Sequence, residues 1–228
     1  MHKLPTIVIL FDNKIDSTSI TLFRGAVIAS LENKDVLFHN HDTDRLRYSY
    51  PLIQYKRIHK KAAVMGIGKG IEVVSQLLSV RDFNYQIGKE KVEMKIDSVN
   101  AYDNEIALME GATYQYRLRN WLPLNSGNYA KYQNSESLIE RIAILERVLV
   151  GNILSFLKGI DLHLEEQLEL HITDITSQRA ITYKKVKLMG FDVEFKANIT
   201  LPQYIGIGKN ASVGCGVLTK ITSHSKTE

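Results

Sequence analysis

Two histidines one residue apart, His39 and His41, stand just ahead of the most basic stretch of the chain. An unperturbed imidazole titrates near pH ~6.5, so such a pair can take and give protons at neutral pH. From Arg45 to Lys69 the chain carries seven cations (Arg45, Arg47, Lys56, Arg57, Lys60, Lys61 and Lys69) and no Asp or Glu. Tyr48, Tyr50 and Tyr55 are interleaved with them. Cations for phosphates beside rings for bases suit single-stranded or looped RNA. RNA also brings its own nucleophile, the ribose 2′-hydroxyl. A catalyst then needs a base for that hydroxyl, an acid for the leaving 5′-oxygen and a stabiliser of the phosphate charge. Two histidines, a tyrosine and a lysine supply these roles without a metal. The same H-x-H pair could instead ligate Zn²⁺ or Mn²⁺ with Asp42 or Asp44. The HExxH and paired CxxC spacings that make a metal site specific are absent from the sequence. Loop histidines are also commonly plain solvated groups, and lysines commonly guard a strand edge.

Near the other end, IGIGKNASVGCGVL (205–218) holds two G-x-G pairs, Gly206 with Gly208 and Gly214 with Gly216. Glycine accepts positive φ and lets another backbone come close, at an entropic cost, so four in so short a span need a reason. Gly206 to Ala211 formally fits the dinucleotide fingerprint, but that fingerprint must open a helix. The residues that follow are β-formers and two more glycines, so no cofactor cradle is expected. A glycine turn feeding a last strand remains, with Lys209 placed to meet an anion. A tight bulged connection is the plainer reading. Lys184, Lys185 and Lys187 line one arm of an expected hairpin and could press on an RNA backbone. Trp121 with Arg117 and Arg119 offers a stacking and phosphate platform, or simply packing.

The elements that must position these groups follow from hydrophobic period. Lys3–Phe11 is a buried strand, and Asp16, Ser17 or Ser19 caps a helix over 20–32 whose apolar face is Leu22, Ala26, Ala29 and Ile28. Segments 46–58 and 61–68 are strands joined near His59–Lys60. A helix covers 68–79 with Ile71, Val74, Leu77 and Leu78, and 89–99 alternates as a strand through Val92, Met94 and Ile96. That order, β-α-β-β-α-β, is the ferredoxin-like unit. The second half repeats it: a strand over 112–124, then a helix from Ser135 or Ser137 to about Lys158, with Leu138, Ile142, Leu145, Leu149 and Ile153 inward. A strand with Leu168, Leu170 and Ile172 follows. Next comes a hairpin turning at Met189–Gly190, with Phe191, Val193, Phe195, Ala197 and Ile199 on one face. No second helix is evident before the glycine loop. The expected fold is α+β, with two tandem ferredoxin-like domains. Residues 1–105 carry the histidines and 106–228 carry the glycine-rich loop, the second domain being short of a helix.

Composition sets the bounds. The chain has 228 residues, 44% hydrophobic and 24% charged, with a net charge of +4. That is enough for a large core and mild enough to permit an anionic partner without demanding one. No apolar run approaches the ~18 residues of a membrane span, so no membrane partner is expected. The N-terminus reads as a first strand and not a signal peptide. Cys215 is the sole cysteine, which excludes an internal disulfide and a cysteine-rich zinc site and points to the cytoplasm.

Gly206-x-Gly208-x5-Gly214-x-Gly216, with LFHNHDTDRLRYSYPLIQYKRI (37–58), resembles the CRISPR repeat-processing endoribonucleases of the RAMP superfamily, in the branch with an H-x-H pair and a following tyrosine. The resemblance implies two ferredoxin-like folds in tandem. It implies metal-independent cleavage of precursor RNA within the repeat, leaving a 2′,3′-cyclic phosphate and a 5′-hydroxyl, with no cofactor. It makes His41 the general base or its acid counterpart, His39 its partner and Tyr48 the group that orients the phosphate. Lys34 and Lys56 are both candidates for an added lysine. RNA contacts are expected from Arg45, Arg47, Arg57, Lys60, Lys61, Lys184, Lys185, Lys187 and Lys209. Gly206, Gly208, Gly214 and Gly216 are expected to let the RNA backbone approach protein amides near a domain junction. Partners would be CRISPR repeat RNA, subunits of an effector complex and a second copy of the chain. The same superfamily contains subunits that hold RNA without cutting it, which is the competing expectation.

Overall fold

The computed structural model describes residues 1–30, 41–42, 45–46, 50–80, 83–183 and 186–221. They divide into two units. The first is His2–Glu105 together with Asn210–Gly214; the second is Ile106–Lys209 with the chain from Cys215 and Met1.

The first unit starts with β1 (His2–Lys14), whose β-branched run buries Ile7, Val8, Ile9 and Phe11. Burying one such side chain contributes roughly 1.5–3 kcal/mol, so this strand anchors the sheet. Next come α1 (Ile20–Ala29) and two short strands that pair antiparallel, β2 (His41–Asp42) and β3 (Arg45–Leu46). Then follow β4 (Ile53–Ile58), β5 (Lys61–Ile67), α2 (Gly70–Ser75), a hairpin β6 (Asn84–Ile87) and β7 (Glu90–Glu93), and β8 (Ile96–Ile106). The sheet order is β4-β5-β1-β8, the ferredoxin-like arrangement. His59 and Lys60 both take positive φ (49° and 68°), making the tight turn between β4 and β5 that right-handed strand twist favours. Phe11, Phe23, Phe83 and Tyr85 pack edge to face with centroids 5.7–6.4 Å apart. Tyr55 joins at 6.0 Å from Phe23.

Three readings of this half need correction. The buried face of α1 is Ile20, Phe23, Ala26 and Val27, and Leu22 is exposed. In α2 the buried residues are Gly70, Val73 and Val74, with Leu77 buried in the following turn; Val74 and Leu77 are inward as expected, whereas Ile71 is only half-buried and Leu78 is exposed. The alternating segment 89–99 is two strands: β7 pairs back on β6, and only from Ile96 does the chain join the main sheet.

The second unit runs β9 (Tyr114–Trp121), α3 (Ser126–Asn134), α4 (Leu138–Gly159), β10 (Leu170–Tyr183), β11 (Val186–Ala197) and β12 (Val217–Lys220). Its order, β10-β11-β9-β12, repeats that of the first unit. The Ser137 side chain caps α4 by accepting from Glu140 N at 3.2 Å, and Leu145, Leu149, Ile153, Phe156 and Leu157 are its buried stripe. Leu138, expected inward, is two-thirds exposed in the first turn. Phe191, Val193, Phe195, Ala197 and Ile199 are all buried, as their alternation requires. The hairpin does not turn at Met189–Gly190. Those residues lie within β11 opposite Ala180 and Arg179, and pairing continues to Tyr183 opposite Val186. Gly190 is bare because the Ile181 side chain lies over it. No helix intervenes between β11 and β12; residues 198–216 form the glycine-rich connection instead.

Candidate functional site

The backbone places His41 opposite Leu46 and Asp42 opposite Arg45 in the β2–β3 pair. His39, Tyr48, Lys34, Arg47, Lys184 and Lys185 lie outside the described residues. Among the described residues no three His, Cys, Asp or Glu side chains converge as metal ligands would.

β4 carries the next candidates, and the structure sorts them. Tyr55 and Tyr50 are interior, 1% and 9% exposed, so they are not rings displayed for bases. Burial pushes both phenol pKa values well up, an effect that the Arg24 guanidinium partly offsets at Tyr55 and a hydrogen bond with Gln54 offsets at Tyr50. Lys56 is completely buried. Arg57 is exposed, yet its Nε donates to Ile15 O at 2.7 Å. Lys61 pairs with Asp97 at 3.0 Å, while Lys60 is exposed in the turn. Four cations that look like part of one stripe in sequence, Lys56, Arg57, Lys60 and Lys61, are thus split among interior, anchored and open positions.

The glycine loop is built by contacts of the chain with itself. In the second unit, residues before and after its tip pair antiparallel. Tyr204 N donates to Leu218 O (2.7 Å), Leu218 N to Ile205 O (2.9 Å) and Ile207 N to Gly216 O (2.7 Å). Gly216 has φ +61°, and any Cβ there would overlap the Ile207 carbonyl oxygen. At Gly208 (φ +88°) a Cβ would stand 2.6 Å from Asn152 Oδ1. That oxygen accepts from the fully buried Trp121 indole at 3.0 Å, so Trp121 is packing and no stacking platform. Arg117 is engaged with Glu194.

Two further anchors were not visible in the sequence. Tyr116 Oη donates to Ile199 O and accepts from Leu201 N, both at 2.9 Å, holding the start of the connection; burial raises its pKa. Asn120 bulges out of β9 with φ +53°, and its carbonyl accepts from Gly216 N at 3.0 Å. Asp192 Oδ1 accepts from Asn120 N at 2.7 Å, and Arg179 bonds both Asp192 oxygens (3.0 and 3.1 Å) and Asn120 Oδ1. The bulge reverses the alternation, from buried Tyr116 and Leu118 before it to buried Trp121 after it, but too little of the strand follows Asn120 for that change of phase to be read from sequence.

Asn210–Gly214 belongs to the first unit. Tyr55 N donates to Ser212 O at 2.8 Å, and Tyr55 bridges Val213 in parallel, extending the sheet past β4. At Gly214 (φ +82°) a Cβ would meet Ile20 Cδ1 at 2.6 Å. Lys209, just before this segment, is exposed.

Two ferredoxin-like sheets with a glycine-rich connection before the last strand define a RAMP-type protein. A crystal structure of Cas6b superposes with a TM-score of 0.86 at 28% identity, over 96% of this chain and 100% of that one. The crystal structure of a CRISPR RNA processing endoribonuclease, Cas6b, gives a TM-score of 0.73 at 27% identity over the same shares. Uncharacterized protein MJ0978 of Methanocaldococcus jannaschii is 29% identical over 150 residues, 64% of this chain and 96% of its own length. The Cas6b N-terminal domain family matches residues 2–105 and the Cas6b C-terminal domain family residues 108–221. The chain belongs to the Cas6b family.

Proposed function

We propose that this protein processes CRISPR precursor RNA by cutting it within the repeat, without a metal ion, using the ribose 2′-hydroxyl as nucleophile. The observation that carries this reading is the match to both Cas6b domain families across nearly the whole chain, one solved relative being a CRISPR RNA processing endoribonuclease. The 2′-oxygen attacks the adjacent phosphorus as a base removes its proton. The bond from phosphorus to O5′ breaks, and an acid protonates the departing oxygen. The products are a 2′,3′-cyclic phosphate and a 5′-hydroxyl. His41 takes one of these proton-transfer roles and His39 the other, with Tyr48 orienting the phosphate. A lysine offsets the developing negative charge, and the burial of Lys56 speaks for Lys34. Arg45, Arg57, Lys60, Lys187 and Lys209 supply phosphate contacts, so affinity should fall steeply with salt.

The test incubates wild type, His39→Ala and His41→Ala with repeat RNA in EDTA. Cutting by wild type that either substitution lowers at least about 100-fold is expected, the scale of a lost general acid or base. A 2′-deoxy sugar just upstream of the scissile phosphate should stop cleavage altogether. RNA bound but intact would instead mark an RNA-holding subunit. Activity that returns only with added divalent cation would replace the mechanism with a metal-dependent one.

A further inference from the structure

Resting on the RNA-processing reading, we infer that the second unit holds a subsite for one unpaired nucleotide, between the start of α3 and the β10–β11 hairpin. A cavity of about 350 Å³ opens there, lined by Leu124, Asn125, Ser126, Tyr129, Ala180, Lys187, Leu188 and Met189. The volume matches a single nucleotide and falls short of a duplex.

Its chemistry divides as a nucleotide's does. Leu124, Leu188 and Met189 make an apolar surface, and Tyr129 adds a ring that is 44% exposed although it projects from a helix packed on the unit. An exposed ring beside an apolar surface is what an unstacked base needs, since every base has a π-face and such stacking is sequence-tolerant. Lys187 is exposed on β11 opposite Thr182, and no carboxylate is among the described lining residues. Those residues therefore carry a formal charge of +1, complementary to one phosphate. Asn125 and Ser126 add polar groups, and the Asn125 side chain already caps α3 by accepting from Asn128 N at 2.8 Å. The wall is held in place from behind: Tyr132 Oη donates to Gln178 Oε1 at 3.2 Å, and Gln178 Nε2 donates to Met189 Sδ at 3.3 Å. The base lies against Tyr129, and its phosphate faces Lys187.

The experiment measures equilibrium binding of repeat RNA to wild type, Tyr129→Ala, Tyr129→Phe and Lys187→Ala, alongside single-turnover cutting at saturating enzyme. Tyr129→Ala should weaken binding roughly 5- to 150-fold, the range of one lost base stack, and Tyr129→Phe less than about 3-fold. Lys187→Ala should weaken binding and lower the slope of log affinity against log salt by about one phosphate contact. A set of repeat RNAs, each abasic at one position, closes the argument. One abasic position should weaken binding to wild type but not to Tyr129→Ala. Equal binding by Tyr129→Ala and wild type, equal losses for the Ala and Phe variants, or no abasic position that depends on Tyr129 would each overturn the subsite. Wild type that cuts normally while ignoring Tyr129 removes the subsite alone. Wild type that binds through Tyr129 but never cuts removes the enzymatic reading and leaves the subsite standing.

Discussion

The two units solve one topological problem in different ways. Each must carry the chain from its third strand to its fourth, past the strand between them in the sheet. The first does so with α2 and the β6–β7 hairpin, burying Val73, Val74, Leu77 and Tyr85. The second uses 198–216, with no helix, and holds that length by the Tyr116 hydroxyl, the Asn120 bulge and the self-pairing around Gly206 and Gly216. A helix satisfies its own backbone and needs only an apolar stripe. An irregular connection needs each polar group met individually. The strand order survives the exchange, so sheet pairing fixes this fold and the crossover is free to be specialised.

Glycine substitutions test that contrast most severely. Both connections press a glycine on a carbonyl oxygen: Gly216 on Ile207, and Gly70 with a Cβ position 2.5 Å from Leu52 O. Only Gly216 also has positive φ. Gly216→Ala should cost roughly 3–5 kcal/mol by urea unfolding, and Gly70→Ala about 1–3. Equal losses would mean that backbone conformation does not matter in the loop.

Buried phenols come next. Tyr116 Oη serves two backbone partners, whereas the Tyr55 hydroxyl is buried with no hydrogen-bond partner among the described residues. Tyr116→Phe should cost about 1–3 kcal/mol, and Tyr55→Phe close to nothing. Reversed values would remove Tyr116 as an anchor. The same groups set an alkaline limit. Burial raises the Tyr50, Tyr55 and Tyr116 pKa values, so above pH ~10 the unfolded chain loses protons that the folded chain keeps. Stability should therefore be full below pH ~10 and decline above it, and each Phe substitution should flatten the decline by up to ~1.4 kcal/mol per pH unit. A urea midpoint constant from pH 8 to 11.5 would contradict this.

The smallest expected change is a gain. Gly25 in α1 and Gly151 in α4 have open space where a Cβ would stand. Alanine at either should add about 0.5–1 kcal/mol, one in each unit, read as a rise in melting temperature.

Much of this architecture was legible in the residues. The β-branched run of β1, the Ser137 cap and the alternation from Phe191 to Ile199 each state their structure, because cap chemistry and a period of two are local. Where long-range packing decides, reading failed. Gly190 looked like a turn but leaves room for Ile181 across the hairpin, and α1 turned Phe23 inward instead of Leu22 to meet Phe11 and Tyr55. The site divides in the same way. Histidine spacing and glycine pairs are visible in a string of letters, whereas the sorting of Lys56, Arg57 and Lys61 into interior, anchored and paired states depends on strands far along the chain.

The pairing of Ser212 with Tyr55 also carries a cost in time. The two residues leave the ribosome 157 residues apart. At ordinary elongation rates the N-terminal sheet waits roughly 8–30 s for the segment that completes it. During that interval β4 is an open edge, the kind of surface on which nascent chains join one another. Separating residues 2–105 as an independent fragment would make the wait permanent, and such a fragment is expected to self-associate unless 210–214 is restored to it.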